Sequence, residues 1–211
     1  MLFIETVEEP TLELLNNIMQ DAEFNDFILV GGTTLALQLG HRISFDIDLF
    51  SVNPFDQDKL ADHLRENYNF ILDFISSNTL KGEIDRVQFD CISHRYPWLE
   101  ENIITGNIRM ANMIDIAAMK LNAIAGSGTR LKDFVDIAYL SAKFSLNQML
   151  QAYGKKYNSN PVMPLKALVY FDDIMFDQPI KMAGDKSYDW NLIEQRLQMM
   201  HKNPDKVLGE I

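Results

Sequence analysis

The sequence predicts an α+β protein: a mixed β-sheet with flanking helices over residues 1–107, then a helical region over 108–211 that packs on it. Three observations predict this. Short apolar, β-prone runs alternate with brief helical periods as far as about residue 93. Two long helical periods, Met110 to Ala125 and Arg130 to Phe144, then replace the strand texture, separated by Gly126-Ser127-Gly128-Thr129. No internal repeat, low-complexity tract or Pro/Ser-rich linker interrupts the chain.

The first helix is expected over Pro10 to Ala22, with Leu12, Leu14, Leu15 and Ile18 as its apolar side and Pro10 suited to its first turn. Phe27-Ile28-Leu29-Val30 reads as a buried strand. Gly31-Gly32 breaks it, and Thr33 or Thr34 is expected to cap a helix that runs to Leu39 and ends at Gly40. Phe45 to Ser51 is the next strand and Asp58 to Asn67 the next helix. Phe70 to Ser76, Asn78 to Glu83 and Val87 to Ser93 read as three successive strands with polar turns between them. Residues 95–109 are the joint between the two parts, and Leu146 to Tyr153, Pro164 to Phe171 and Tyr188 to Met200 read as further helices.

Composition narrows the class. With 211 residues, 47% hydrophobic and 23% charged, the chain suits one large domain or two small ones with a real core. The lone cysteine, Cys91, excludes an internal disulfide framework and a multi-cysteine zinc site; beside Asp90 it reads as a small buried hydrophobe. No apolar run approaches the roughly 18 residues of a membrane span. Glutamates occupy the first ten residues where a signal peptide is basic, so a cytoplasmic protein is expected. A net charge of −11 argues against broad binding of a phosphate backbone, but leaves room for a local basic pocket.

The stretch "LVGGTTLALQLGHRISFDIDLF" carries the chemistry. On a strand, Asp46 and Asp48 share one face while Ile47 and Leu49 take the other, with the two aspartate Cα atoms roughly 6.5–7 Å apart. Paired carboxylates on a buried sheet repel one another and lose solvation unless a cation sits between them. Mg²⁺ or Mn²⁺ is the natural occupant, because no histidine or cysteine cluster offers softer ligands. Asp90, in "RVQFDCIS", is the third candidate, since a neighbouring strand can bring it to the same point. Three such carboxylates suit a two-metal site for phosphoryl or nucleotidyl transfer. The blander reading is an ordinary Asp-x-Asp pair and an exposed edge-strand aspartate.

The order strand, Gly-Gly, short helix, Asp-x-Asp, later aspartate is similar to the signature of the nucleotidyltransferase superfamily that includes DNA polymerase beta and the aminoglycoside and tRNA nucleotidyltransferases. "GGTTLALQLGHRISFDIDLF" followed by "DIAAMKLNAIAGSGTRLKDFVDIAYL" resembles, more narrowly, the nucleotidyltransferase AbiEii/AbiGii toxin family, over roughly residues 26–142. The resemblance implies a nucleotidyltransferase-like fold and an enzyme that moves an NMP from an NTP to an acceptor hydroxyl. The metal ions would sit on Asp46, Asp48 and Asp90. It implies that Gly31, Gly32 and Thr33 hold the triphosphate, a tRNA 3′ end or other RNA as acceptor, and a cognate antitoxin in a toxin–antitoxin or abortive-infection system.

Other residues keep two readings. Arg42 is placed either to reach a phosphate or to neutralise the acidic cluster, a solvated loop arginine being the alternative; His41 has no metal-ligand spacing. Lys120 lies on the apolar stripe of Met113, Ile116 and Ile124, where a lysine either snorkels to water or faces a cleft; the resemblance favours a nucleotide phosphate. The resemblance places a functional aspartate in "TRLKDFVDIAYL": Asp133 suits the helix dipole and Asp136 is preferred for that role, unless Lys132 pairs with it at i, i+4. The resemblance implies an arginine at the position of Ser127, just before Gly128, with Arg130 as a substitute. Arg130–Lys132 together with Lys155–Lys156 form the one basic strip suited to RNA. The alternative function is a nucleotide- or partner-binding module that keeps the fold without catalysis; such a module is expected to lose an aspartate, and all three are present.

Overall fold

A computed structural model of the chain describes residues 2–185 and 187–211. Among these, β1 (Ile28–Val30), β2 (Ile47–Ser51), β3 (Ile71–Ser76), β4 (Thr79–Ile84), β5 (Val87–Ser93), β6 (Ile103–Thr105) and β7 (Ile108–Met110) form one mixed sheet. Its order is β3-β4-β5-β2-β1-β7-β6. β2 runs antiparallel to β1 and parallel to β5, and β7 runs parallel to β1. The helices are α1 (Glu9–Gln20), α2 (Gly31–Leu39), α3 (Gln57–Tyr68), α4 (Met113–Gly126), α5 (Leu131–Leu140), α6 (Leu146–Tyr157), α7 (Val162–Ala167) and α8 (Trp190–Lys202). The expected α+β class is the observed one.

Strand alternation divides the core. Leu29 of β1, Ile47 and Leu49 of β2, and Phe89 and Cys91 of β5 pack on one face of the sheet with Leu15 and Ile18 of α1 and Leu60 and Leu64 of α3. Ile28 and Val30 point to the other face, where Ile116, Phe134 and Met149 of α4, α5 and α6 build a second core. With a side-chain period of two, Asp48, Phe50 and Asp90 must therefore lie on the face that looks toward α4 and α6.

Several boundaries differ from the sequence reading. Gly31 and Gly32 are themselves the first turn of α2, with Val30 at its N-cap and no side-chain cap bond, so neither threonine caps it. The strand expected from Phe45 begins at Ile47, which leaves Asp46 just before it. Within the joint 95–109 and into the expected Met110 helix, the chain makes a β6–β7 hairpin, turning through Gly106 at φ 59°. Strands of three residues are too short to display a period, so their pattern was lost between longer signals. Asn112 then caps α4 through Ile114 N at 3.2 Å, and α6 opens with a capping box of Ser145 and Gln148.

The loop between α2 and β2 is pinned on both sides. Ser44 N donates to Thr6 O at 2.9 Å, while Ile43 N donates to Lys181 O at 2.8 Å and Ala183 N to His41 O at 3.1 Å. These bonds fix a segment that would otherwise be an exposed connection, and it delivers Arg42 and Asp46 to the site.

Candidate active site

Asp48 and Asp90 are register partners on the parallel strands β2 and β5, so their side chains project from the same face as neighbours. Asp46 approaches from the preceding loop. Its backbone is held by Thr33, whose hydroxyl donates to the Asp46 carbonyl and lies 3.0 Å from Ser44 Oγ. Thr33 is buried, and that hydroxyl is spent inside the protein.

The glycines answer to close approach. A Cβ on Gly31 would sit 2.3 Å from Asp48 Oδ2, and the residue has φ 73°, so both space and backbone demand glycine. A Cβ on Gly32 would sit 2.2 Å from Arg42 Nη2. The start of α2, without a side-chain cap, is thus pressed against a carboxylate on one side and a guanidinium on the other.

The carboxylates are short of cations. Asp48 is raised to about 6 by burial, then by repulsion from Asp90 and Asp46, against the weaker pull of Lys120 and Arg130. Lys81, the cross-strand partner of Asp90 on β4, forms an ion pair with Asp90 Oδ2. Lys81 went unread in the sequence, although the signal existed: the turn at Asp85-Arg86 pairs Ile84 with Val87 and so carries the register to Lys81 and Asp90.

A second cluster, buried beside the first, pairs both of its carboxylates with buried cations. Asp136 Oδ1 accepts from Arg42 Nε at 2.8 Å, Arg42 Nη2 reaches Asp136 Oδ2 at 3.0 Å, and Lys120 Nζ lies 2.8 Å from the same Oδ2. Lys120 also donates to Asp133 Oδ1 at 2.6 Å. Burial alone would raise Asp136, but Arg42, Lys120 and hydrogen bonds from His41 and Arg42 hold it well below the usual carboxylate range. His41 Nε2 is 2.8 Å from Asp136 Oδ1, and burial pushes its imidazole toward the neutral form. The donors of Arg42 go to Asp136 and to the Ile43 carbonyl. Lys132, offered as a partner for Asp136, instead lines the cavity, and no carboxylate lies within ion-pair distance of it among the described residues.

Between the clusters opens a cavity of about 260 Å³. Gly31, Gly32, Asp46 and Asp48 form one part of its wall; Lys120, Arg130 and Lys132 form another; Phe50, His94 and Tyr157 form a third. Among the described residues no three His, Cys, Asp or Glu side chains stand close enough to enclose a metal ion, and Asp90 Oδ2 is engaged by Lys81. The donor set itself suits a hard divalent cation: Asp46 and Asp48 offer oxygen ligands only, and Asp48 is buried beside two like charges.

The sequence model of the family described as nucleotidyl transferase AbiEii toxin, type IV TA system, matches residues 13–110. An uncharacterized protein of Aquifex aeolicus (strain VF5) is 35% identical over 168 residues, covering 76% of this chain and 81% of that protein. The chain belongs to the AbiEii nucleotidyltransferase toxin family. Two solved structures share its fold at 17% identity and a TM-score of 0.54. One, a nucleotidyltransferase from H. pylori described as putative, covers 96% of this chain and 100% of its own; the other, JHP933 from Helicobacter pylori, covers 94% and 93%.

The AbiEii match contains the glycine turn and Asp46, Asp48 and Asp90, and stops before Lys120 and Asp136, which join the site by packing of α4 and α5. The basic strip read from the sequence is broken. Lys156 is buried, its ammonium 2.8 Å from Asp115 Oδ1 and 2.9 Å from Pro97 O, and lies 4.5 Å from the Trp98 ring centroid. That lysine cannot serve RNA. Asp115, which opens the second motif but has no role expected from the sequence, also accepts from Leu99 N and Glu100 N, and so ties the 97–100 segment to α4 and α6. No helix among the described residues is long and apolar enough to cross a membrane.

Proposed function

We propose that this AbiEii-family chain is an active nucleotidyltransferase that moves an NMP from an NTP to an acceptor hydroxyl. The observation that carries the reading is the in-register pairing of Asp48 with Asp90 against a glycine turn too tight for any side chain. Asp46 and Asp48, on the cavity wall, would hold Mg²⁺ or Mn²⁺, joined by Asp90 once Lys81 lets it go; the ion would supply charge neutralisation on the triphosphate and acidify the attacking hydroxyl. The glycine turn presents backbone N–H groups to the phosphates at the start of α2. Lys132, Arg130 and the cavity-facing Lys120 add positive charge around the departing pyrophosphate. In the transfer, a bond forms between the acceptor oxygen and the α-phosphorus as the bond to the bridging α–β oxygen breaks. Pyrophosphate leaves, and the hydroxyl proton passes to Asp90 once Lys81 has released it.

The buried cluster acts one step away. Asp136 and Asp133 hold Lys120 at the cavity wall, and Asp136 holds Arg42, whose guanidinium shapes the turn at Gly32. In our reading Arg42 and Asp136 are positioning residues, and Thr33 positions Asp46 rather than touching phosphate.

The family's place in type IV toxin–antitoxin systems supports a partner antitoxin, and an RNA such as tRNA is the acceptor class proposed. The test is incubation with α-labelled NTPs, Mg²⁺ or Mn²⁺ and total RNA. Label should move to RNA in the wild type and stay in the nucleotide in an Asp46→Ala, Asp48→Ala double variant. Nucleotide binding without transfer to RNA, protein or small acceptors would instead make the chain a silent binding module. Transfer seen only from γ-labelled nucleotide would make it a phosphotransferase.

A further inference from the structure

Phe50 stands two residues beyond Asp48 on the same face of β2, its Cα roughly 6.5–7 Å away along the strand. His94, just past the end of β5, packs on it with ring centroids 5.0 Å apart and planes at 33°. Tyr157, at the end of α6, meets His94 edge-on at 5.9 Å. Tyr96 braces both from behind, 4.8 Å from His94 and 4.7 Å from Tyr157. The neighbouring Lys156, bonded to Asp115 and Pro97 O, anchors the last turn of α6 and with it the Tyr157 backbone.

Three elements distant in sequence thus bring aromatic rings to the wall of the cavity that also holds Asp46 and Asp48. Its cationic side chains are Lys120 from α4, Arg130 and Lys132 from the start of α5, and the Asp136-bound Arg42 from the loop after α2, whereas among the described residues the ring wall carries no carboxylate and no free cation. Burial, then the nearby Lys156 ammonium, lowers His94 to about 4, so its ring is neutral at physiological pH. A ligand that fits this polarity is anionic at one end and flat, uncharged and aromatic at the other.

We propose that Phe50, His94 and Tyr157 form the seat of a nucleobase, stacked on the ring wall while phosphates lie at the glycine turn; this rests on the nucleotide-transfer reading above. Base stacking on aromatic side chains changes affinity by about 5- to 150-fold on truncation of the ring. It tolerates any of the four bases unless an edge is also read. Asn122, on the α4 wall of the cavity, offers an amide for such an edge.

The test compares binding of each of the four NTPs with binding of inorganic tripolyphosphate, in Mg²⁺, by calorimetry on the full chain. Wild type should bind at least one NTP about tenfold or more tightly than tripolyphosphate. Tyr157→Ala should remove that advantage and leave tripolyphosphate within about twofold, and Tyr157→Phe, which keeps the ring, should restore it. Phe50→Leu, which keeps apolar volume without a π-face, gives the same comparison if Tyr157→Ala fails to fold. If NTP affinity stands unchanged in these variants while the KM for acceptor RNA rises tenfold or more at saturating NTP, the seated base belongs to the acceptor. Wild-type affinities equal for NTP and tripolyphosphate, together with an unchanged acceptor KM in the variants, overturn the seat and leave nucleotide transfer standing. Equal loss of NTP and tripolyphosphate binding in both ring variants overturns it too, since the rings then only support the fold. Failure of wild type to bind either compound removes the transfer reading itself.

Discussion

Two groups of aspartates adjoin one cavity, reaching its wall through Asp46 and Asp48 on one hand and Asp133 on the other, and their surroundings are opposites. Asp133 and Asp136 are buried among Lys120, Arg42 and His41, with every cation within 3 Å of a carboxylate oxygen. Asp48 and Asp90 share one face of the interior strands β2 and β5, Asp46 adjoins them from the loop before β2, and Lys81 pairs with Asp90. The first group carries its own counter-charges and is locked by them. In the second only Asp90 has such a partner, and burial, then repulsion from Asp90 and Asp46, pushes Asp48 up to about 6. The difference in charge balance between the two clusters is what the proposed cation would even out.

The contrast can be broken most sharply at Asp48. Asp48→Asn should lower nucleotide transfer on the order of a thousandfold or more, as loss of a metal-bound carboxylate would, with no loss of melting temperature at pH 8. Labelled-nucleotide transfer and a thermal melt read the two effects side by side. A variant that kept its transfer rate would separate this acidic group from the chemistry.

Asp136→Asn is expected to do the reverse. It leaves Arg42 and Lys120 buried without their common carboxylate, which costs about 3–5 kcal/mol and a fall in melting temperature of roughly 10 °C or more. Arg42→Met with Asp136→Leu, which removes the central buried charges together, should lose less stability than the single change.

The pH dependence separates the groups again. A carboxyl raised from 3.8 to about 6 on folding binds a proton more tightly in the native state, so its ionisation destabilises the fold as pH rises through that window. Asp48→Asn should therefore match wild type near pH 4 and become more stable by about 1–3 kcal/mol above pH 6 in chelator. Denaturant melts across pH 4–8 measure the gap, and millimolar Mg²⁺ should shrink it by stabilising wild type. Asp136, held low, contributes in the opposite sense, its support vanishing only in strong acid.

The smallest expected effect is at Lys81. The pair with Asp90 is partly exposed, so Lys81→Gln should change stability by no more than about 1 kcal/mol. It should nevertheless lower the Mg²⁺ or Mn²⁺ concentration for half-saturation severalfold, because Asp90 no longer has to release an ammonium. Titration with Mn²⁺ followed by its paramagnetic signal would show this, and unchanged affinity would make Lys81 a bystander.

Much of this acidic group was legible in the residues. The alternation of Asp46, Ile47, Asp48, Leu49 and the isolated Asp90 depends on a period of two, and the packing of Ile47, Leu49 and Phe89 follows it. The Gly31-Gly32 break announced a tight turn, although what it made room for, Asp48 and Arg42, came from 17 and 10 residues away and left no local trace. Lys120 and Lys156 illustrate the limit. Each sits on a helix as a lysine among apolar neighbours, a pattern that fits snorkelling, ligand binding and a buried ion pair alike. Their partners, Asp133 and Asp136 for one and Asp115 for the other, lie 13 to 41 residues away.

Local chemistry therefore settled which faces are apolar, where the chain must turn, and which strands carry carboxylates, because each of those depends on neighbours within a few residues. Which cations those carboxylates would meet, that Arg42 and Lys156 would be withdrawn from solvent, and that Phe50, His94 and Tyr157 would share one wall were settled by packing. Charge pairing acts through space between elements whose separation along the chain is arbitrary, so no periodicity records it.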